Sequence, residues 1–171
     1  MNLFDRNKRN PLYLDDNGVT IKVKSFDKSL IGTKHTLNGV EYEIVDNETL
    51  RRRYRSGVNL SRVVTTFVTD MSHMFGQDTS FNQNINNWDT SQVTDMSFMF
   101  YKAYSFNQDI TYWDTSKVFD MGYMFYNATS FNQDLSWWKV GNVNDCFYFD
   151  KDSQLSRAYR PNFVKCRTGN Y

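Results

Sequence analysis

The chain has 171 residues, enough for one domain with a sizeable core, and its formal net charge is +1. A chain so close to neutral lacks the electrostatic signature of a nucleic-acid-binding protein. No apolar stretch reaches the roughly 20 residues that a membrane-spanning helix requires, so we expect no transmembrane segment. The first residues, MNLFDRNKRNPLYLDD, lack the apolar region of a signal peptide.

The N-terminal part is predicted to form two β-hairpins followed by a helix. The stretches PLYLDDNGVTIKV and HTLNGVEYEIV each place Asn-Gly between alternating apolar residues, which is the strongest local signal for a hairpin. In VDNETLRRRYRSG, Asp46 or Asn47 can cap a helix that Gly57 ends. Residues 1–57 are therefore interpreted as a β cap, within 1–45, plus a capping helix.

The remainder of the sequence repeats with a period of 25 residues. Three full units span residues 68–92, 93–117 and 118–142, a degenerate last unit spans 143–167, and a tail follows at 168–171. We call a set of equivalent positions in successive units a column. Clear columns are Asp70/Asp95/Asp120/Asp145, Phe75/Phe100/Phe125, Phe81/Phe106/Phe131 and Trp88/Trp113/Trp138. This self-similarity indicates a repeat architecture, with residues 58–167 as its extent.

Each unit is predicted to contain a strand, a turn and a short helix. SFNQDITYW alternates between apolar and polar residues like a half-buried strand, and WDTSKV has turn-forming residues. VFDMGYMFYNA carries apolar residues at helical spacing, with Asp120 as N-cap. The predicted fold class is an α+β solenoid, a leucine-rich-repeat-like stack of such coils with an N-terminal β-hairpin and helix cap and a degenerate C-terminal capping repeat.

The repeat consensus VTDMSxMFxxAxSFNQDIxxWDTSxV, over about residues 60–167, resembles the bacterial surface protein repeat of Mycoplasma-type lipoproteins and, more distantly, of BspA-like proteins. The resemblance implies a cell-surface or secreted protein that serves adhesion or recognition without catalytic activity. It transfers no functional residue to this chain.

The residue types also argue against an enzyme. Only two histidines are present, His35 and His73, and no nucleophile elbow, phosphate-binding loop or zinc-ligand spacing occurs. Carboxylates in neighbouring units could imitate a glycosidase pair, but the repetition itself explains their proximity. We expect no catalytic residue.

Two polar columns are interpreted as structural. The column Gln83/Gln108/Gln133 alternates inward and is predicted to form a buried amide ladder, because an unpaired buried amide would cost about 1–3 kcal/mol. The column Asp70/Asp95/Asp120/Asp145 is predicted to supply helix caps.

The candidate ligand-binding residues are aromatic side chains at variable positions, namely Tyr101, Tyr112, Tyr126 and Trp137. Tyr112 and Trp137 alternate away from the apolar Trp column, so we expect them to be exposed. Exposed rings are rigid amphipathic anchors that suit a protein or a glycan ligand. The neighbouring column His73/Phe98/Tyr123/Tyr148 is instead interpreted as packing between turns.

A polar alternative lies on the predicted outward face of the repeats. It consists of Asn107, Asp109, Asn132 and Asp134. Calcium prefers six to eight oxygen ligands, and Asp109 and Asp134 are weak candidates to supply some of them. Since no EF-hand or glycine-rich calcium motif is present, no firm metal site is assigned; apart from calcium, no cofactor is expected.

The two cysteines, Cys146 and Cys166, both fall in the degenerate last unit. A disulfide between them would stabilise the end of the repeats by about 3 kcal/mol and would fit an oxidising compartment. Two buried thiols are the alternative, and the sequence does not separate the two.

The functional prediction is a non-enzymatic recognition or adhesion module that binds a protein or glycan on another cell or in the matrix through the repeat face. The resemblance places it at the cell surface or outside the cell. The alternative is a structural spacer stabilised by calcium, without a macromolecular ligand.

Overall fold

The computed structural model describes residues 10–166. The first nine residues of the predicted β cap, residue 167 of the last unit and the tail at 168–171 lie outside the described residues. The described chain begins with two small sheets, continues with one α-helix, and ends with the repeat units.

The strands form where the sequence predicts two hairpins. Strands β1 (Leu12–Leu14) and β2 (Ile21–Val23) make a two-stranded antiparallel sheet. Strands β3 (Lys34–Leu37) and β4 (Val40–Ile44) are antiparallel neighbours, and β5 (Val63–Val64) joins β4 in parallel. Both hairpin predictions are confirmed.

The turn chemistry explains why these hairpins form. Asn38 and Gly39, between β3 and β4, have φ of 51° and 78°, the left-handed pair that a two-residue hairpin turn requires. Between β1 and β2, the side chain of Asn17 accepts hydrogen bonds from the N–H groups of Val19 and Thr20. Asn-Gly therefore forms the turn in both hairpins. In the β3–β4 hairpin it acts through left-handed backbone, and in the β1–β2 hairpin the side chain of Asn17 also contributes hydrogen bonds.

Helix α1 (Asn47–Arg55) is capped as the sequence predicts. Asp46 is the N-cap, and its carboxylate accepts from the N–H of Thr49 at 2.9 Å. Past the helix end, Gly57 has a φ of 71°, a left-handed conformation that glycine adopts at low cost. The helix buries Leu50 against the first repeat. Leu50 lies 25 residues before Phe75 and therefore extends the column of Phe75 by one position.

The predicted fold class, an α+β solenoid that resembles a leucine-rich-repeat stack, is wrong. Within residues 10–166 the structure has two small β-sheets and one α-helix, and residues 65–156 contain neither a strand nor a helix. In this range the structure has single parallel bridges from Asp70 to Asp95, from Asp95 to Asp120, and from Asp120 to Asp145. The strand predicted for SFNQDITYW and the short helix predicted for VFDMGYMFYNA are both absent.

Left-handed residues explain why the units form no helix. Each unit has two non-glycine residues with φ between 50° and 67°, four positions apart. A right-handed helix requires negative φ, so each such residue interrupts the helix predicted for that part of the unit. The eight residues are His73, Gln77, Phe98, Lys102, Tyr123, Asn127, Tyr148 and Asp152.

Neighbouring units are nevertheless joined by backbone hydrogen bonds at the repeat period. Four N–H groups of the first unit donate to four carbonyls of the second at 2.6–2.9 Å. The donors are Met71, His73, Phe75 and Gln77, and the acceptors are Asp95, Ser97, Met99 and Tyr101. The same four bonds recur between the next two pairs of units, at 2.7–2.9 Å. The units therefore lie side by side in one register.

On the SFNQD side of the units, side-chain amides replace part of the backbone pairing. The side-chain oxygen of Asn82 accepts from the N–H of Asn107 at 3.1 Å and from the amide of Gln108 at 3.0 Å. The side-chain oxygen of Asn107 accepts in the same way from the N–H of Asn132 and from the amide of Gln133. The predicted ladder of buried Gln side chains is therefore corrected: each Gln is only partly buried, and Gln108 and Gln133 bond to Asn of the preceding unit.

Columns of aromatic rings form the core. Trp88 and Trp113 stack at 6.2 Å between ring centroids, and Trp113 and Trp138 at 6.4 Å. Each indole N–H donates to a backbone carbonyl 28 residues earlier in the chain, at 3.0–3.3 Å. The Phe columns are equally continuous, and a smaller second cluster lies under the two sheets.

At the C-terminal end, Cys146 and Cys166 are joined by a disulfide with an S–S distance of 2.07 Å. Phe163 packs on Phe149 there, with ring centroids 5.1 Å apart.

Across residues 10–166, no helix combines the length and the apolar character that crossing a bilayer would require.

Candidate functional site

The structure separates the four aromatic candidates into two pairs. Tyr101 and Tyr126 stack on each other with ring centroids 5.3 Å apart. Tyr112 and Trp137 instead border a cleft beside the β1–β2 hairpin. The sequence therefore points to two separate surfaces.

The first surface is a continuous group of rings. Each ring centroid lies 4.0–6.5 Å from that of at least one other ring of the group, and one member, Phe147, has 43% of its surface exposed. The remaining members are half-buried. We name this group the aromatic surface; it consists of Phe98, Tyr101, Tyr123, Tyr126, Phe147 and Tyr148.

Half of the aromatic surface lies on left-handed backbone. Phe98, Tyr123 and Tyr148 have φ of 56°, 56° and 50°, a conformation that costs a non-glycine residue about 1–2 kcal/mol. Stacking along the column offsets this cost, since the rings of Phe98 and Tyr123 are 4.8 Å apart at an angle of 8° and such pairs contribute about 0.5–1.5 kcal/mol. His73 extends the column by stacking on Phe98 at 4.6 Å.

Two lysines give the aromatic surface positive charge. The ammonium of Lys102 lies 5.1 Å from the ring centroid of Tyr101, and that of Lys151 lies 4.4 Å from that of Tyr148. A hydrogen bond with Tyr101 raises the pKa of Lys102, so this ammonium stays charged at neutral pH. The surface therefore combines apolar rings with cations.

The second surface is the hairpin cleft, an open space of about 270 Å³ between the β1–β2 hairpin and the repeats. The hairpin is held there because the N–H of Ile21 donates to the carbonyl of Asn87, and that of Val23 to the hydroxyl of Thr66. Tyr112 is 53% exposed and Trp137 is 83% exposed at this cleft.

Ion pairing and hydrogen bonding hold the charged groups of the hairpin cleft. Asp15 and Lys22 form an ion pair at 2.8 Å. The hydrogen bond from Lys22 lowers the pKa of Asp15. Burial would raise the pKa of Asp114, but hydrogen bonds from Ser116 and the nearby charge of Lys139 lower it overall. Both carboxylates are therefore ionised at neutral pH.

The two asparagine candidates hold neighbouring units together. The side-chain oxygen of Asn107 accepts from the third unit, as described above, and that of Asn132 accepts from the N–H of Ser156 at 2.9 Å. Because these oxygens already have donors, Asn107 and Asn132 act in the structure as links between units.

The two aspartate candidates stabilise local turns. Asp109 accepts from the N–H of Thr111 and Asp134 from that of Ser136, both at 2.9 Å. In the part of the chain that the structure describes, no three His, Cys, Asp or Glu side chains gather as ligands for a metal ion would.

The repeated Asp column caps turns and not helices, which corrects the prediction. Asp70 and Asp95 each accept from the N–H and the hydroxyl of a serine two residues later. Asp120 has Gly122 at that position and receives only the N–H, at 2.8 Å. Burial raises the pKa of Asp120, and the nearby carboxylates of Asp145 and Asp95 raise it further, against that hydrogen bond.

Replacing Asp120 with Asn should raise the free energy of unfolding at pH 7. The raised pKa means that the ionised carboxylate is less favourable in the folded chain than in the unfolded chain, whereas the Asn oxygen can still accept from Gly122. The cost of the charge is relieved as pH falls through the raised pKa, so the advantage of Asp120→Asn should shrink in acid. Urea unfolding between pH 7 and pH 4 measures both effects.

Asp134→Asn is the matched control, because hydrogen bonds from Ser136 lower the pKa of Asp134. Losing that carboxylate should give no gain in stability. An Asp120→Asn variant that is less stable than the wild type at pH 7 would contradict the expected sign.

Sequence reasoning missed several residues of both surfaces. Phe147 occupies the column of Ser72 and Ser97, where nothing in the earlier units signals an aromatic residue. Asp15 and Lys22 belong to the N-terminal hairpin, and only the folded structure brings them to the repeats. The available signal was the aromatic column Phe98/Tyr123/Tyr148, which recurs every 25 residues and which from the sequence is interpreted as packing between turns.

A family model described as "Mycoplasma protein of unknown function, DUF285" matches residues 48–159, from the first turn of α1 into the last unit. This supports the Mycoplasma-type part of the resemblance and gives no specific support for a BspA-like, leucine-rich-repeat relationship. No curated protein and no solved structure matches the sequence.

Proposed function

Because the chain belongs to the family described as Mycoplasma protein of unknown function, DUF285, we propose that it is a non-enzymatic recognition module, at the cell surface or outside the cell, that binds a partner protein through the aromatic surface. The observation that carries this proposal is the continuity of the six rings, which span three successive units.

The chemistry of the aromatic surface favours a protein ligand. Tyr and Phe supply large contact areas with few rotatable bonds, so ordering them on binding costs little entropy. Exposed apolar patches of contiguous side chains are typical of interaction sites. The ammonium groups of Lys102 and Lys151 complement a partner whose apolar residues are accompanied by acidic ones.

The backbone supports the same interpretation. Glycine or asparagine would adopt the left-handed conformation of Phe98 and Tyr123 more cheaply than an aromatic residue does. Ring stacking recovers about the energy that this conformation costs, so stability alone gives little reason for aromatic residues here. Recognition of a partner gives a separate reason for them.

A panel of purified extracellular-matrix proteins tests the proposal by surface plasmon resonance. We expect the wild-type chain to bind at least one of them, and Tyr101→Ala/Tyr126→Ala to bind it at least about tenfold more weakly, since two anchor rings are removed. Affinity should also fall as NaCl rises, because two ammonium groups flank the rings.

Tyr159→Ala is the matched control, because Tyr159 is 38% exposed and lies in a short 3-10 turn, Arg157–Tyr159, near the C-terminal end of the repeats. It should bind like the wild type. If no panel protein binds, or if the double variant binds as tightly as the wild type, the aromatic surface is not the recognition site and a structural spacer becomes the better description.

A further inference from the structure

We propose that the hairpin cleft is a second binding site, separate from the aromatic surface, and that its ligand is a neutral saccharide of one or two rings. The cleft joins a part of the chain outside the repeats, the β1–β2 hairpin, to Trp88 and Trp113 of the Trp column and to Trp137 of the third unit. Neither this site nor the aromatic surface depends on the other.

The apolar wall of the cleft favours a sugar ring. Trp137 is 83% exposed, whereas the adjacent Trp138 is 5% exposed and occupies the core column. The core is therefore complete without Trp137, which presents its indole to solvent at the cleft. A pyranose has a face of C–H groups that can cover such a ring, and its edge of hydroxyls remains available for hydrogen bonds.

The polar wall lies on the hairpin and on the residues that directly follow Trp113 and Trp138. Asp15 and Lys22 come from the hairpin, and Asp114 and Lys139 come from the repeats. Carboxylate oxygens accept hydrogen bonds from hydroxyl groups, and ammonium groups donate to them, so the donors and acceptors of a sugar both find partners. Asn17 and Thr20 also line the hairpin side, where the amide of Asn17 donates to the hydroxyl of Thr20 at 2.8 Å.

The charges of the cleft favour a neutral ligand. The lining contains three carboxylates, Asp15, Asp89 and Asp114, against the ammonium groups of Lys22 and Lys139. Asp15 is paired with Lys22, and Asp89 accepts from Thr66 and Ser91. An anionic sugar would meet the excess of carboxylates, and a cation would have to compete with the partners that those carboxylates already have.

The size of the cleft limits the ligand. Its volume of about 270 Å³ lies just below the range of roughly 300–1,000 Å³ that is typical of small-molecule sites. One or two sugar rings suit this volume, whereas a peptide segment would extend beyond it. The open side, bordered by the exposed ring of Trp137, would let a longer glycan continue into solvent.

Saturation-transfer NMR on the full chain tests the site with methyl glycosides of glucose, galactose, mannose and N-acetylglucosamine, the neutral disaccharides lactose and maltose, and two acidic probes, sialyllactose and glucuronic acid. We expect transfer from the protein to the ring C–H protons of at least one neutral sugar. Trp137→Ala should weaken that binding by about tenfold or more. Because Trp137 is so exposed, this variant should keep the thermal midpoint of the wild type.

Two controls separate this site from the aromatic surface. Phe119→Ala removes another exposed aromatic ring, which is 51% exposed and lies outside the lining of the cleft, and it should leave sugar binding unchanged. Tyr101→Ala/Tyr126→Ala should also leave it unchanged. The proposal is overturned if no neutral sugar binds, if only the acidic probes bind, or if Trp137→Ala binds as tightly as the wild type.

Discussion

Replacing Phe100 with Ala is expected to lower the free energy of unfolding by about 3–5 kcal/mol. The side chain is fully buried in the middle of the Phe columns. Its ring centroid lies 5.5 Å from that of Phe75, 5.3 Å from that of Phe125 and 3.9 Å from that of Phe106. Removing it leaves a cavity that neighbouring rings cannot fill, because each is held by its own unit.

Urea unfolding followed by tryptophan fluorescence measures this loss. Phe119→Ala is the matched control, since it removes the same side chain at a position that is 51% exposed, and it should change stability by no more than about 0.5 kcal/mol. Equal effects of the two substitutions would show that the rings of the Phe columns contribute no more than surface rings do.

Removing the disulfide is expected to cost about 3 kcal/mol. Cys146 and Cys166 are 20 residues apart, and closing a loop of this length restricts the unfolded chain by about that amount. The double variant Cys146→Ala/Cys166→Ala should therefore unfold at lower urea, and the loss should begin in the last unit, where Phe163 packs on Phe149.

Reduction gives an independent control for the same prediction. Dithiothreitol should destabilise the wild-type chain to about the level of the double variant and should leave the double variant itself unchanged. Mass measurement after thiol alkylation reports whether the bond exists in the purified chain. Two alkylated cysteines without prior reduction would contradict the disulfide.

The N-terminal elements were predictable because their signals are local. Asn38-Gly39 sets a hairpin turn through left-handed backbone, and Asp46 caps α1 through its own carboxylate. Both effects act within a few residues, so they operate in the isolated segment much as they do in the folded chain. The pairing of β5 with β4 was not predicted, because it joins residues that lie far apart in the sequence.

Within the repeats, the 25-residue period was predicted correctly, but the strand and the short helix predicted for each unit were not. Burial does alternate along SFNQDI, with Phe106 and Ile110 buried and Asn107 and Asp109 exposed. Alternation alone cannot distinguish a strand from an extended segment whose hydrogen bonds go to side-chain amides, such as that of Asn82. Likewise, the apolar spacing around Met121 matches a helix, but the left-handed residue Tyr123 prevents one.

The sequence by itself determined the 25-residue period, which side chains recur, and the local turns, because each of these depends on residue identity and short-range backbone preference. Only the tertiary structure decided which rings meet and what encloses them. The aromatic surface requires three units held in one register by hydrogen bonds between residues 24 positions apart, such as Phe98 and Gly122. The hairpin cleft requires Ile21 of β2 to bond to Asn87. These two residues are 66 positions apart, so no local preference encodes their contact.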